Sequence, residues 1–294
     1  MARRRFSDDP MSQLAVWARR TAFFSLFATL LSIIIVRSGL LEIFPALATF
    51  GAALCFAAIA ILLALGAFVS IWKDGLAGLG SVFTALFIGT ALLAYPAYLG
   101  YKAYKLPEIA DITTDPIDPP RFEAIARLRS RDANPIIYAG LYAAEQQRAA
   151  YPEIDPLVLS ATPNEAYDAA LAIVTKRRWA MLDVRPPQLP ARREGRIEAV
   201  ARTPIMGFRD DVVIRIRPTQ EGSRVDVRSA SRYGRHDFGA NAARIKALLT
   251  DIEELTATQQ EKQERIERAQ RREKEHKAQL AKTKAAQKKD QAKR

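Results

Sequence analysis

Chemistry-bearing side chains crowd into one stretch of this chain, RSASRYGRHDFGAN, from Arg228 to Asn241. Arg228, Arg232 and Arg235 with the hydroxyls of Ser229 and Ser231 could hold a phosphate or carboxylate, because guanidinium groups bind such anions through paired hydrogen bonds and a helix N-terminus adds backbone amides. Asp237 and Asn241 complete the candidate set. The same residues can instead brace the loop: Asp237 capping the next helix, Asn241 satisfying buried backbone, an arginine pairing with an aspartate. Bracing is the expected role. Ser231, His236 and Asp237 contain the letters of a nucleophilic triad, but His and Asp are adjacent and no nucleophile-elbow pattern surrounds the serine. His236 and His276 are the only histidines, and the single cysteine, Cys55, lies in an apolar run, so no metal site is expected. Without a Walker loop or a GxGxxG run no nucleotide cofactor is expected either, and no catalytic residue is assigned. Asp210 and Asp211 read as turn and edge residues, since successive residues at a strand start point to opposite sides.

The elements that must position these residues follow from periodicity. Thr162, Pro163 and Glu165 predict a helix start with a capping box, and Ala166, Ala169, Ala170, Ile173 and Val174 give that helix an apolar side to about Arg178. A strand at 156–162 precedes it. Strands at 179–184, 196–203, 211–217 and 224–229 follow, the last two joined by a hairpin-length link containing Gly222. Val212, Ile214, Ile216, Val225 and Val227 alternate with Arg215, Arg217, Arg224, Asp226 and Arg228, predicting one apolar and one charged face. The charged face, which also takes Arg202 and Glu198, reads as solvated with cross-strand ion pairs. A last helix carries Ala242, Ile245, Leu248, Leu249 and Ile252 at helical spacing. Helices at both ends of hairpin-linked strands predict an α+β domain, an antiparallel sheet with helices on one face. Shorter helices are expected near 122–130 and 138–150.

Ahead of this domain, the sequence changes material. Thr21 to Val36 carries no charge and reaches Leu41 if Arg37 snorkels, about the 20 residues that cross a bilayer; Ile43 to Trp72 and Gly75 to Tyr101, 30 and 27 residues, are also uncharged. Three transmembrane helices are therefore predicted over 21–105, after a basic cytoplasmic N-terminus, 1–20. Arg3, Arg4, Arg5, Arg19 and Arg20 precede the first span and only Arg37 follows it, which keeps the N-terminus inside and puts everything after Tyr101 outside. Lys102 and Lys105 pull the other way without reversing that orientation. Small residues spaced by four, Ala53 and Ala57, Ala60 and Ala64, Gly66 and Ser70, Ala85 and Gly89, suit close packing of the three helices. The second and third runs hold no acidic, basic or His residue for an ion or proton path, which argues against a transporter. A proline-rich strap, LPEIADITTDPIDPP at 106–120, links membrane to domain in an extended conformation.

A net charge of +12 raises nucleic acid as a partner, but the soluble segment 106–250 carries 22 basic and 19 acidic groups. A compact nucleic-acid module would concentrate its excess there, so no nucleic-acid partner is expected. The tail, 255–294, is Glu, Gln, Lys, Arg and Ala with too little apolar seam for a coiled coil, hence a charged helical or disordered tail. Its end, 271–294, holds ten basic and three acidic residues and suits electrostatic attachment to anionic lipid or an anionic envelope polymer.

Three blocks carry a family resemblance: DITTDPIDPPRF at 111–122, RIEAVARTPIMGFRDDVVIRIRP at 196–218 and RVDVRSASRYGRHDFGANAARI at 224–245. Together they resemble the bacterial envelope family known only as domain of unknown function 1499, over about 110–250. The family pattern falls on Arg228, Ser229, Ser231, Arg232, Gly234, Asp237, Gly239, Asn241, Arg244 and Ile245. The resemblance implies a bacterial inner-membrane setting and no particular activity. The combined expectation is an integral inner-membrane protein whose domain, 106–254, is a non-catalytic binding or scaffold unit in the periplasm with an envelope protein as partner. The alternative is an envelope hydrolase acting on phosphate or ester groups.

Overall fold

The computed structural model describes residues 10–39, 42–188 and 193–291. Arg3, Arg4 and Arg5 lie outside the described residues, as do the side chains at the basic end of the tail. The chain divides into two compact units: Met1–Ala110 with Arg202–Asp210 and Ser231–Gly239, and Asp111–Ala201 with Asp211–Ala230 and Ala240–Arg294.

The first unit is built on three helices, α1 (Gln13–Ser38), α2 (Ile43–Asp74) and α3 (Leu79–Lys105), each long and apolar enough to cross a membrane. Ser12 caps α1, accepting from the Ala15 amide at 3.4 Å. Ahead of it the chain pairs with the α2–α3 turn, through Ser12 N to Ala77 O at 2.9 Å and Ala77 N to Pro10 O at 3.1 Å. The core is mostly alanine: Ala15, Ala18, Ala22, Ala60, Ala64, Ala67 and Ala85 are buried with Ile71 and Val82. Gly89 lets α2 and α3 approach, since a Cβ there would lie 2.6 Å from Ile61 Cγ1. The expected small-residue pairs take this role except Gly66 and Ser70; Gly66 faces open space because the inward stripe of α2 runs through Ala60, Ala64 and Ala67 instead. Large apolar groups turn outward, with Phe27, Phe44, Leu62, Trp72, Phe83 and Phe87 each more than 60% exposed. Small residues inside and large apolar ones outside invert the pattern of a water-soluble bundle and suit a lipid surrounding.

The second unit is an antiparallel sheet with helices. Its strands are β1 (Asp111–Thr113), β2 (Leu157–Leu159), β3 (Ala180–Arg185), β4 (Gly195–Arg202), β5 (Arg209–Pro218) and β6 (Ser223–Ser231), ordered β1-β6-β5-β4-β3. Short β1 and β2 share one side of β6, pairing with Arg228–Ala230 and Ser223–Val225 respectively. Gly222, at φ +146, permits that approach: a Cβ would fall 2.2 Å from the Leu159 carbonyl oxygen. The helices are α4 (Leu141–Ala150), α5 (Pro163–Lys176) and α6 (Ala240–Gln291). The helix predicted near 122–130 is a single 3-10 turn, Ile125–Arg127, and the last helix runs without a break into what reads as a separate tail. Exposed i, i+4 pairs such as Arg268–Glu264 and Arg271–Glu275, both at 3.1 Å, line that extension.

The Thr162 capping box forms as expected, its hydroxyl accepting from Glu165 N while the Glu165 carboxylate accepts from Thr162 N at 2.8 Å. At the other end of α5, Trp179 N reaches Val174 O and Arg178 N reaches Thr175 O, a Schellman arrangement that puts Arg178 at φ 54. Glycine belongs there, because a side chain in the left-handed region costs roughly 1 kcal/mol. Arg178→Gly is therefore expected to raise the melting temperature by about 2–4 °C, read by thermal unfolding; an unchanged or lower value would refute the strain.

Candidate functional site

Both faces of the central strands are buried. Val212, Ile214, Ile216, Val225 and Val227 form the apolar face, with Ile245, Leu248 and Ile252 of α6 fully enclosed. The alternate residues do not form the solvated face that their charges predict. Residues 114–136 lie over them, and Glu198, Asp211, Asp226, Arg215 and Arg228 are all at most 4% exposed. Phe122 and Ile125 of this overlying segment, which continues the proline-rich strap, pack on Val213 and Ala230 of the sheet. Burial of so many charges is tolerable only because each is paired and hydrogen-bonded.

The pairing is specific. Glu198 accepts from the backbone amides of Glu123 at 2.8 Å and Ile125 at 2.9 Å, so one carboxylate holds the 3-10 turn on β4. Arg196 donates to Arg121 O at 3.0 Å. Asp211 takes the Arg129 Nε at 2.7 Å, while Arg129 Nη1 donates to the carbonyls of Asn134 and Pro135. Asp210 and Asp211, expected at a turn and an edge, are both buried because the ladder extends two residues further than the apolar alternation shows. Arg215, Arg217 and Arg224 converge on Asp115, Asp118 and Asp226, with Arg215 also donating to Asp118 O at 2.8 Å. Three positive and three negative groups close this cluster without net charge.

Arg228, first of the predicted site residues, is 2% exposed. It grips Asp111 with two bonds, Nε to Oδ1 at 2.9 Å and Nη2 to Oδ2 at 2.6 Å, and donates to the carbonyls of Pro120 and Ile136. Its guanidinium lies 4.6 Å from the Phe122 ring centroid and 5.7 Å from that of Tyr138. Burial pushes the Asp111 carboxyl upward, against the pull of Arg228. Burial, then the nearby Asp111 charge, pushes the Tyr138 hydroxyl up to about 12, so it stays protonated.

The other six predicted residues separate. Ser229, fully buried, donates to Asn241 Oδ1 at 2.7 Å, and Arg244 Nη1 donates to both, at 2.9 Å and 2.6 Å; the structure thus joins Ser229 and Asn241 directly, with Arg244 bonded to both. Ser231, Arg232, Arg235 and Asp237 belong to the first unit. Ser231 N donates to Ala110 O and Asp237 N to Ile109 O. Asp237 Oδ1 accepts from Gly239 N at 2.8 Å, turning the chain just ahead of α6. Arg232 N donates to Arg209 O, and the exposed Arg235 meets Glu108 at 3.1 Å. His236 has both ring nitrogens engaged, Nδ1 with Phe238 N at 2.9 Å and Nε2 with Leu106 O at 3.2 Å. Since an amide donates to Nδ1, the proton sits on Nε2 and faces the Leu106 carbonyl. Among the described residues no group of three or more His, Cys, Asp and Glu is arranged to hold a metal.

The candidate site read from the sequence omits Asp111, Asp115, Asp118, Arg129 and Gln147, and Arg244 enters there only through the family pattern. Gln147 of α4 fills the open edge of β1, accepting from Thr113 N at 3.1 Å and donating to Thr113 O at 2.7 Å. A recoverable signal was the strap itself: its three aspartates match the arginine excess of the charged strands. A concave surface of about 580 Å³ also borders the network, lined by Arg185, Arg193, Arg196, Glu123 and Glu194. Arg185 there pairs with Glu123 at 2.8 Å and Asp183 at 2.7 Å.

Fold and site define a membrane protein that joins three apolar helices to an α+β domain held by a buried arginine–carboxylate network. Residues 111–252, the span of that domain, match the family model described as Protein of unknown function (DUF1499). The match agrees with the resemblance read from the sequence and leaves the three apolar helices outside it. A comparison with curated proteins finds no match.

The strap network is acid-labile by sign. Burial alone would raise Asp115, but the Asp118 amide and then Arg224, Arg215 and Arg217 overcome it and hold the carboxyl below its ordinary 3.8. A depressed carboxyl contributes stability that is present above 3.8 and lost as pH falls through its folded value. The urea midpoint of the full chain is expected to drop as acidification proceeds below 3.8 and through the folded value, with a shallower drop in Asp115→Asn; identical slopes would exclude Asp115 as the cause.

Proposed function

We propose that this is an inner-membrane protein of the bacterial envelope that presents a non-catalytic binding or scaffold domain to the periplasm. One observation carries the non-catalytic reading: the polar groups that resemble chemistry are turned inward. Ser229 is buried and bonded to Asn241 and Arg244, Arg228 is closed between Asp111 and backbone carbonyls, and both His236 nitrogens face backbone groups. A nucleophile or anion receptor must meet its substrate, and these groups meet the protein. The membrane setting rests on the three apolar helices, and the periplasmic orientation on Arg19 and Arg20 with the three arginines before them.

The domain also turns large apolar groups outward. Ile117, Ile137 and Leu141 are each more than 80% exposed, and Tyr142 is 73% exposed. Exposed large apolar groups on a soluble domain suit protein contact. Arg228 and Arg232 are poor probes of binding, since both are buried. The test is photocrosslinking in native membranes from a reactive residue at Ile117 or Leu141. A discrete envelope-protein adduct, absent when the reactive residue replaces Glu221, is expected. No adduct from either site, together with ester or phosphate hydrolysis by the purified chain, would overturn the reading.

A further inference from the structure

The β4–β5 loop, residues 203–208, reads TPIMGF and carries no charge. It closes on itself: Thr203 N donates to Phe208 O at 2.9 Å, Phe208 N to the Thr203 hydroxyl at 2.9 Å, and Gly207 N to Thr203 O at 3.1 Å. So rigid a turn needs no apolar tip for its own stability, yet Ile205 is 41% exposed. The loop is seated on the last turn of α1. Arg37 Nη1 donates to Pro204 O at 2.6 Å and to Ile205 O at 2.9 Å. Gly207, at φ +71, lies against the arginine stem, where a Cβ would come 3.2 Å from Arg37 Cγ.

The position of Arg37 along its helix fixes the level of this contact. The uncharged run between Arg20 and Arg37 rises about 24 Å at ~1.5 Å per residue, most of a ~30 Å hydrocarbon core, so a guanidinium at its end belongs among head groups. Alternating direction brings the end of α3 to the same side as the end of α1. There Tyr95, Tyr98, Tyr101 and Tyr104 are exposed, with Lys102 5.6 Å from the Tyr98 ring and Lys105 5.7 Å from that of Tyr104. Tyrosine beside lysine is the composition of a membrane–water interface.

We propose that the β4–β5 loop is a second membrane-contact element, with Ile205 and Met206 resting in the interfacial layer of the phospholipid bilayer beside the end of α1. The chain would then hold the lipid surface by its spans and by a loop of the sheet's central hairpin. The proposal depends on α1, α2 and α3 crossing the bilayer, and the experiment separates the two. A Cys55→Ala background carries one environment-sensitive fluorophore on Ile205→Cys, on Leu62→Cys in mid-α2, or on Glu221→Cys in the β5–β6 turn. Each full-length chain is placed in phosphatidylglycerol–phosphatidylethanolamine nanodiscs containing lipids with a quencher at the head group or deep in the acyl chain. The Leu62 probe should respond to the deep quencher. The Ile205 probe should respond to the head-group quencher at least about threefold more than the Glu221 probe, as shallow interfacial burial requires. Arg37→Ala should reduce that response. An unquenched Leu62 probe would remove the spans and the proposal together. A quenched Leu62 probe with Ile205 no different from Glu221 overturns the proposal alone, and so does an Ile205 probe shielded from both lipid and aqueous iodide, which would mean a protein occupant.

Discussion

Arg228→Met is expected to cost the α+β domain about 3–5 kcal/mol at pH 7, the range for breaking a buried pair and leaving one charge behind. Methionine keeps much of the arginine's length and lies acceptably against Phe122 and Tyr138, so the loss is chiefly electrostatic. Asp111 would lose two short bonds, and the carbonyls of Pro120 and Ile136 would lose their donor. Its pH dependence identifies the cause. Burial already raises Asp111 above its ordinary 3.8, and without Arg228 it rises further. A raised carboxyl binds its proton more tightly when folded, so its contribution is fully present below 3.8 and lost as pH rises through the folded value. The gap between variant and wild type should therefore be smallest near pH 4 and widest near pH 7, the opposite of the Asp115 effect, which both chains share. Adding Asp111→Asn should restore most of the loss at neutral pH. Urea unfolding of the full chain measures all three, and a pH-independent deficit would show that lost packing, not the stranded carboxylate, dominates.

Glu198→Ala should be nearly as severe for a different reason. The substitution strands no charge of its own but leaves the amides of Glu123 and Ile125 without acceptors inside the protein, about 1–3 kcal/mol each, and weakens the support of Arg196. A total near 4 kcal/mol corresponds to a fall of roughly 10 °C in melting temperature for a domain of this size. Glu198→Gln, which keeps one acceptor and aims an amide group at a backbone donor, should fall between. The loss should also be local, with residues 121–127 exchanging amide hydrogens faster than the apolar side of β5. Uniform acceleration across the sheet would mean that Glu198 acts through the whole fold.

Both predictions concern residues whose importance the sequence hides. The apolar helices, the Thr162 capping box and the alternation of β5 and β6 were legible because each is a local pattern, repeated every two or four residues. Arg215 and Asp118 stand 97 positions apart, and Arg228 and Asp111 stand 117 apart, so no period links them. The strap reads as a linker because Pro107, Pro116, Pro119 and Pro120 exclude helix. That inference about conformation was sound, but an extended segment can equally lie across a sheet. With the strap read as a linker, the charged face reads as solvated, because water is the usual destination of Arg and Asp. Among the candidate residues, the pattern marks a polar loop without revealing which way its side chains turn. That choice depends on Asp111, Pro120, Ile136 and Arg244, none adjacent in sequence. Tail and last helix looked separate because the apolar stripe ends near Ile252, while α6 continues on exposed ion pairs.

Amide hydrogen exchange of the full chain in nanodiscs tests most directly whether the polar face is an internal lock for the strap and not an open platform. The amides of Thr114, Glu123 and Ile125, bonded to Val227 O and to the Glu198 carboxylate, should exchange as slowly as those of β4. Exchange at the rate of an unstructured segment would contradict the account, leaving Glu198, Arg215 and Arg228 open to a ligand.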